Sequence, residues 1–98
     1  MEYTNGELEA RLVVKDRPTV REQLRYRGEM GMGPAGAQVF ERLWTAAQVV
    51  IEEWDCPHVG KDSNLDELDN PKAAKAIEWA GLVVFGFMQR LDEVPKNS

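Results

Sequence analysis

The chain has 98 residues, enough for one domain with one core and too few for a deep cleft as well. Its net charge of −5 disfavours nucleic acid and anionic membranes, whose binding needs a positive surface. The single cysteine, Cys56, excludes an intrachain disulfide, and the three tryptophans argue against a disordered chain.

Residues 1–6 carry neither a basic region nor an apolar stretch, so no signal peptide is read there. The most apolar run, residues 79–88, is far short of the roughly 20 residues that span a bilayer. With one unpaired cysteine, this suits a reducing cytoplasm. Asn5-Gly6 is a type I′ turn signal, because both central residues of that turn need positive φ. From residue 7 to 14, Leu8, Ala10, Leu12 and Val14 alternate with Glu9, Arg11 and Val13, the period of a half-buried strand. Residues 1–14 are therefore expected to form a β-hairpin. A lone hairpin is marginal in water and must pack on the rest of the chain or on a partner.

Pro18 suits a first helical turn, which places a helix over 18–29; Gly28, Gly31, Gly33 and Pro34 break it. A second helix is expected over 35–54, where Phe40, Leu43, Trp44, Ala47, Val50, Ile51 and Trp54 recur at helical spacing. Residues 55–70 read as an acidic linker pinned by Leu65 and Leu68 through a short helical turn. Asn70 caps and Pro71 opens a third helix over 71–92, and 94–98 form a frayed tail. The expected fold is mainly α: a short N-terminal β-hairpin followed by a three-helix bundle, as a single domain over 1–98.

The third helix is apolar on two sides. Ile77, Ala80, Gly81, Val84, Phe85, Met88 and Leu91 form one stripe, and Trp79, Leu82 and Gly86 lie on the far side. Such a helix needs cover on both faces. Trp79, Leu82, Val83 and Gly86 are therefore the candidate partner-binding residues, and the excess apolar surface also predicts self-association into a homo-oligomer.

Three motifs are weighed against chemistry. Gly31-Met32-Gly33-Pro34-Ala35-Gly36 matches a dinucleotide fingerprint in letters, but a helix precedes it where a strand is needed, so it reads as a helix–helix loop. Asp62-Ser63-Asn64-Leu65-Asp66 begins like a calcium loop, yet Glu67 stands where glycine is needed and Ala73 where glutamate is needed. Cys56 and His58 are too few for a structural zinc and lack an orienting third group for nucleophilic catalysis. No catalytic residue, cofactor or metal is expected.

Charge is unevenly spread. Arg11, Lys15, Arg17, Arg21, Arg25 and Arg27 outnumber Asp16 and Glu22, leaving residues 11–27 at +4 and the rest of the chain at −9. Arg17, Arg21 and Arg25 form a basic face that either meets the chain's own acidic loop or serves an interface.

In the order of its parts the chain resembles the small tail assembly chaperones of long-tailed bacteriophages. The residues that carry the likeness are Leu12-Val13-Val14 at the end of a β-rich N-terminus, then Arg17-Pro18-Thr19-Val20-Arg21-Glu22-Gln23-Leu24. A helix ending Ile51-Glu52-Glu53-Trp54, an acidic loop with Leu65-Asp66-Glu67-Leu68, and a last helix opening at Asn70-Pro71 complete it. The resemblance implies a non-enzymatic chaperone that coats the tape measure protein and recruits tail tube protein. It implies work in the cytoplasm of a bacterial host and absence from the mature virion. The rival expectation is a small intracellular adaptor or antitoxin-like protein with one defined partner.

Overall fold

Alternation in residues 8–14 puts Leu8, Ala10, Leu12 and Val14 on one buried face, and the structure is built outward from that face. In the computed structural model, which describes residues 1–31 and 39–92, the sheet begins with β1 (Glu2–Asn5) and β2 (Ala10–Val14). They pair antiparallel with Asn5 opposite Ala10 and Tyr3 opposite Leu12. The connection is longer than the two-residue turn expected at Asn5-Gly6, and β2 starts at Ala10 rather than at residue 7. Asn5 acts through its side chain: Oδ1 accepts the Leu8 amide at 3.2 Å, while the Glu9 amide donates to the Gly6 carbonyl at 3.3 Å. The positive φ, 54°, falls on Glu9.

The largest departure from the expected fold lies at residues 51–54. The second helix, α2 (Val39–Val50), stops before them, and Ile51–Asp55 forms a strand, β3, antiparallel to β2. The strand order is β1-β2-β3. The described residues thus form a three-stranded antiparallel sheet with three α-helices, and the hairpin-plus-three-helix-bundle reading is wrong. The cause is a β-bulge. Leu12 faces Trp54 and Val13 faces Glu53, but Val14 faces Ile51, so Glu52 is the extra residue. Residues three apart on a regular strand point to opposite sides. The bulge lets Ile51 and Trp54 both meet the buried face of β2, turning a spacing that looks helical into a same-face strand pair. It also gives the second edge of β2 a partner, so its amides and carbonyls are satisfied.

The first helix, α1, runs Val20–Gly31, two residues later than expected at each end. Its start is set by a capping box absent from the sequence reading. The Thr19 hydroxyl accepts the Glu22 amide at 3.1 Å, and the Glu22 carboxylate accepts the Thr19 amide at 2.8 Å. Pro18 lies buried before the cap, and its carbonyl accepts from the Gln23 side chain at 3.0 Å. Lys15 forms an ion pair with Glu22.

The last helix, α3 (Pro71–Asp92), has the expected bounds. Asn70 caps it, its Oδ1 accepting the Lys72 amide at 2.9 Å. Helix α1 packs on α2 and α2 on α3, while α3 also touches β2. At the α2–α3 contact Gly81 is required: a Cβ there would sit 2.8 Å from Leu43 Cβ. Ala73, Ala76, Ala80, Val84, Phe87 and Met88 of α3 join Leu12, Val14, Val50 and Ile51 in one core. One apolar side of α3 is thus largely covered by α2, and on the other Trp79 turns to Trp54 of β3.

In the linker, residues Leu65–Glu67 form the short helical turn. Leu65 rests on the core, but Leu68 is exposed, and the firmer anchor is Val59, which is buried and whose carbonyl accepts Trp54 Nε1 at 2.8 Å. Most of the glycine-rich motif from Met32 onward, the expected helix start at 35, and the tail 94–98 lie outside the described residues. Among the described residues no helix is long and apolar enough to cross a membrane.

Candidate functional site

Trp79, expected on an outer face, is half-buried. It is the last of three rings in a row: Trp44 meets Trp54 edge-on at 5.1 Å, and Trp54 lies 6.4 Å from Trp79. The row ties α2, β3 and α3 together. Val83 also packs on the core, and Gly86 is half-buried with open space where a Cβ would be. Of the four candidates on α3, only Leu82 projects, with 53% of its surface exposed.

Phe85, assigned to the core stripe, is also exposed, whereas Phe87, absent from that stripe, is buried. Phe85 lines a groove of about 380 Å³ between α1 and α3 with Tyr26, Met30 and Met88; Arg27 and Gln89 are its polar members. Tyr26 is the buried residue of α1. Its hydroxyl is buried without a hydrogen-bond partner among the described residues, and burial pushes its pKa up to about 12. Leu82 and Phe85, three residues apart on α3, lie on neighbouring positions of one helix face.

The basic segment divides in two. Arg11 pairs with Glu2 at 3.2 Å and Glu53 at 3.6 Å across the sheet, and these carboxylates, Glu2 first, hold its guanidinium above the usual arginine range. Lys15 pairs with Glu22; the Lys15 ammonium, then the Thr19 amide, holds the Glu22 carboxyl below its ordinary value. Arg17, Arg21 and Arg25 are exposed, and none has an ion-pair partner among the described residues. Arg21 and Arg25 stand one turn apart on α1, while Arg17 lies in the bend before the cap. The basic face therefore does not meet the chain's own acidic loop.

Two features of this surface escaped sequence reasoning. Val20 and Leu24, one turn apart on α1, are 72% and 61% exposed and run beside Arg21 and Arg25. The signal was present: an i, i+4 aliphatic pair on the side of the helix away from Tyr26. The second is a groove of about 270 Å³ where α2, the linker and α3 meet. Phe40, Leu65, Leu68, Ala73, Ala74 and Ile77 supply its apolar part, and Glu41, Asp66 and Glu78 its carboxylates. Only the packed fold brings these residues together.

Cys56 and His58 serve the linker. Cys56 is half-buried, with Sγ 3.8 Å from the Leu8 carbonyl. His58 Nδ1 lies 3.3 Å from Asn70 Nδ2. Because Asn70 Oδ1 is held by the Lys72 amide, the amide NH₂ faces the ring and His58 Nδ1 accepts. The described residues contain no group of three His, Cys, Asp or Glu side chains placed to hold a metal ion. No family model, curated protein or solved structure matches the chain.

Proposed function

We propose that this chain is a non-catalytic assembly factor that binds an apolar helical protein along the α1–α3 side of the molecule. The observation that carries this reading is the groove lined by Tyr26, Met30, Phe85 and Met88, with Leu82 exposed on the adjoining face of α3. Its side chains suit a helix laid into a groove, since methionine adapts to irregular apolar shapes and aromatic rings serve as anchors. The resemblance to tail assembly chaperones gives the class of partner: the tape measure protein as the coated target, and tail tube protein as the recruited subunit. One part of that resemblance falls away, because residues 51–54 are a strand and not a helix end. The docking surface also moves, from Trp79 and Val83, which support the core, to Leu82 and Phe85.

Co-expression with an apolar helical fragment of a tape measure protein tests the proposal. The fragment is expected to become soluble and co-purify with the wild-type chain. A Leu82→Glu, Phe85→Glu variant is expected to retain its fold and lose the fragment, because both side chains are substantially exposed. Absence of co-purification with the wild-type chain would remove the reading. A stable complex with a single folded partner at one copy each would point instead to the adaptor reading.

A further inference from the structure

The outer face of α1 and the acidic groove are both partly apolar and are complementary in charge. The first is a ridge. Val20 and Leu24 project from one side of the helix, Arg21 and Arg25 flank them, and Gly28, one turn beyond Leu24, has nothing within 4 Å of where its Cβ would be. The second is a hollow with Leu65, Leu68, Ala73 and Ile77 among its apolar lining residues and Asp66 and Glu78 among its acidic ones. Arg21, Arg25, Asp66 and Glu78 form no ion pair among the described residues. Elsewhere, ion pairs join the Met1 amino group to Asp16, Arg11 to Glu2 and Glu53, and Lys15 to Glu22.

We infer that the α1 ridge of one copy seats in the acidic groove of a second copy. The occupant is specified by charge. Arg21 and Arg25 on the ridge and Asp66 and Glu78 in the groove have no ion-pair partner among the described residues, so each molecule presents both halves of an attractive pair. Exposed aliphatic side chains flanked by arginines suit a recess lined by both apolar side chains and carboxylates. The second copy supplies one. Bidentate arginine–carboxylate bonds fix register at the edge, and burial of Val20 and Leu24 supplies the core of the contact. Ridge and groove are different surfaces, so the contact is heterologous, and repeated use of it gives a ring or a filament. The inference goes beyond the partner-binding reading above and stands without it, because it uses neither Leu82 nor Phe85.

A charge swap tests it. Mass measurement by light scattering is made on the wild-type chain, on an Arg21→Glu, Arg25→Glu variant, on an Asp66→Lys, Glu78→Lys variant, and on the two variants mixed. All four positions are exposed, so each variant is expected to fold, which far-UV circular dichroism checks. The wild type is expected to associate with rising concentration, and less so as salt screens the pairs. Each variant alone is expected to associate roughly 10- to 100-fold more weakly, because like charges now oppose. The mixture is expected to recover, since an acidic ridge then meets a basic groove. A wild type that stays monomeric at every concentration overturns the inference. So does a folded variant that associates as the wild type does, or a mixture that recovers nothing.

Discussion

Single residues in this molecule matter where the fold leaves them no alternative. Tyr26 carries a buried hydroxyl with no partner among the described residues, and such a group costs about 1–3 kcal/mol in desolvation. Tyr26→Phe is therefore expected to leave stability unchanged or to raise it by about 1 kcal/mol, read from urea unfolding; clear destabilisation would mean that the hydroxyl is bonded after all. The same burial sets an alkaline limit. With a pKa raised from 10.0 to about 12, Tyr26 contributes stability that is complete below pH 10 and is lost as pH rises toward 12. Gly81 is the opposite case. Alanine is worth about 1 kcal/mol more than glycine within a helix. Here the added Cβ would sit 2.8 Å from Leu43 Cβ, which no rotamer can move, and overpacking costs about 1–3 kcal/mol. Gly81→Ala is expected to destabilise on balance, by about 1 kcal/mol; a rise in melting temperature would show that α2 gives way freely.

At the scale of elements, α1 depends on its start. It buries little beyond Tyr26, so the capping box of Thr19 and Glu22 and the ion pair of Glu22 with Lys15 matter more to it than caps do to α3. Thr19→Ala is expected to cost about 1 kcal/mol and to fray the first turn, visible as faster amide exchange there. Acid acts at the same place. The Glu22 carboxyl is held below its ordinary 4.5, so its contribution is present above that pH and fades as pH falls through the lowered value. In β3, the bulge at Glu52 decides whether Ile51 and Trp54 share a face. Helical spacing and a bulged strand offer the same pattern of apolar residues here. Nothing in the local sequence separates them, and the β-preferences of Ile51 and Trp54 are too weak to overrule the period.

Across the whole molecule, protection is unequal. The sheet, α2 and α3 share one apolar core, whereas α1 joins it mainly through Tyr26, with Met30 half-buried alongside. Hydrogen exchange is therefore expected to show α1 opening well before α2 or α3, and uniform protection across the three helices would contradict that division. The least anchored helix is also the one that presents Val20, Leu24 and, without ion pairs among the described residues, Arg21 and Arg25. The surface offered to a second copy thus lies on the part most easily moved, and seating it in a groove would order α1 further.

The sequence by itself determined the buried face of β2, the bounds and cap of α3, the pinned turn at Leu65 and the uneven charge. Each follows from neighbours a few residues apart: alternation, Asn70-Pro71, and a count of arginines. Only the tertiary structure decided the rest. That β2 would recruit residues 51–55, that Trp79 would turn to the sheet while Leu82 stayed exposed, and that Arg17, Arg21 and Arg25 would form no ion pair with the acidic loop are all decided between distant segments. Local pattern shows that a segment has an apolar or charged side, and the packed chain alone determines what that side meets.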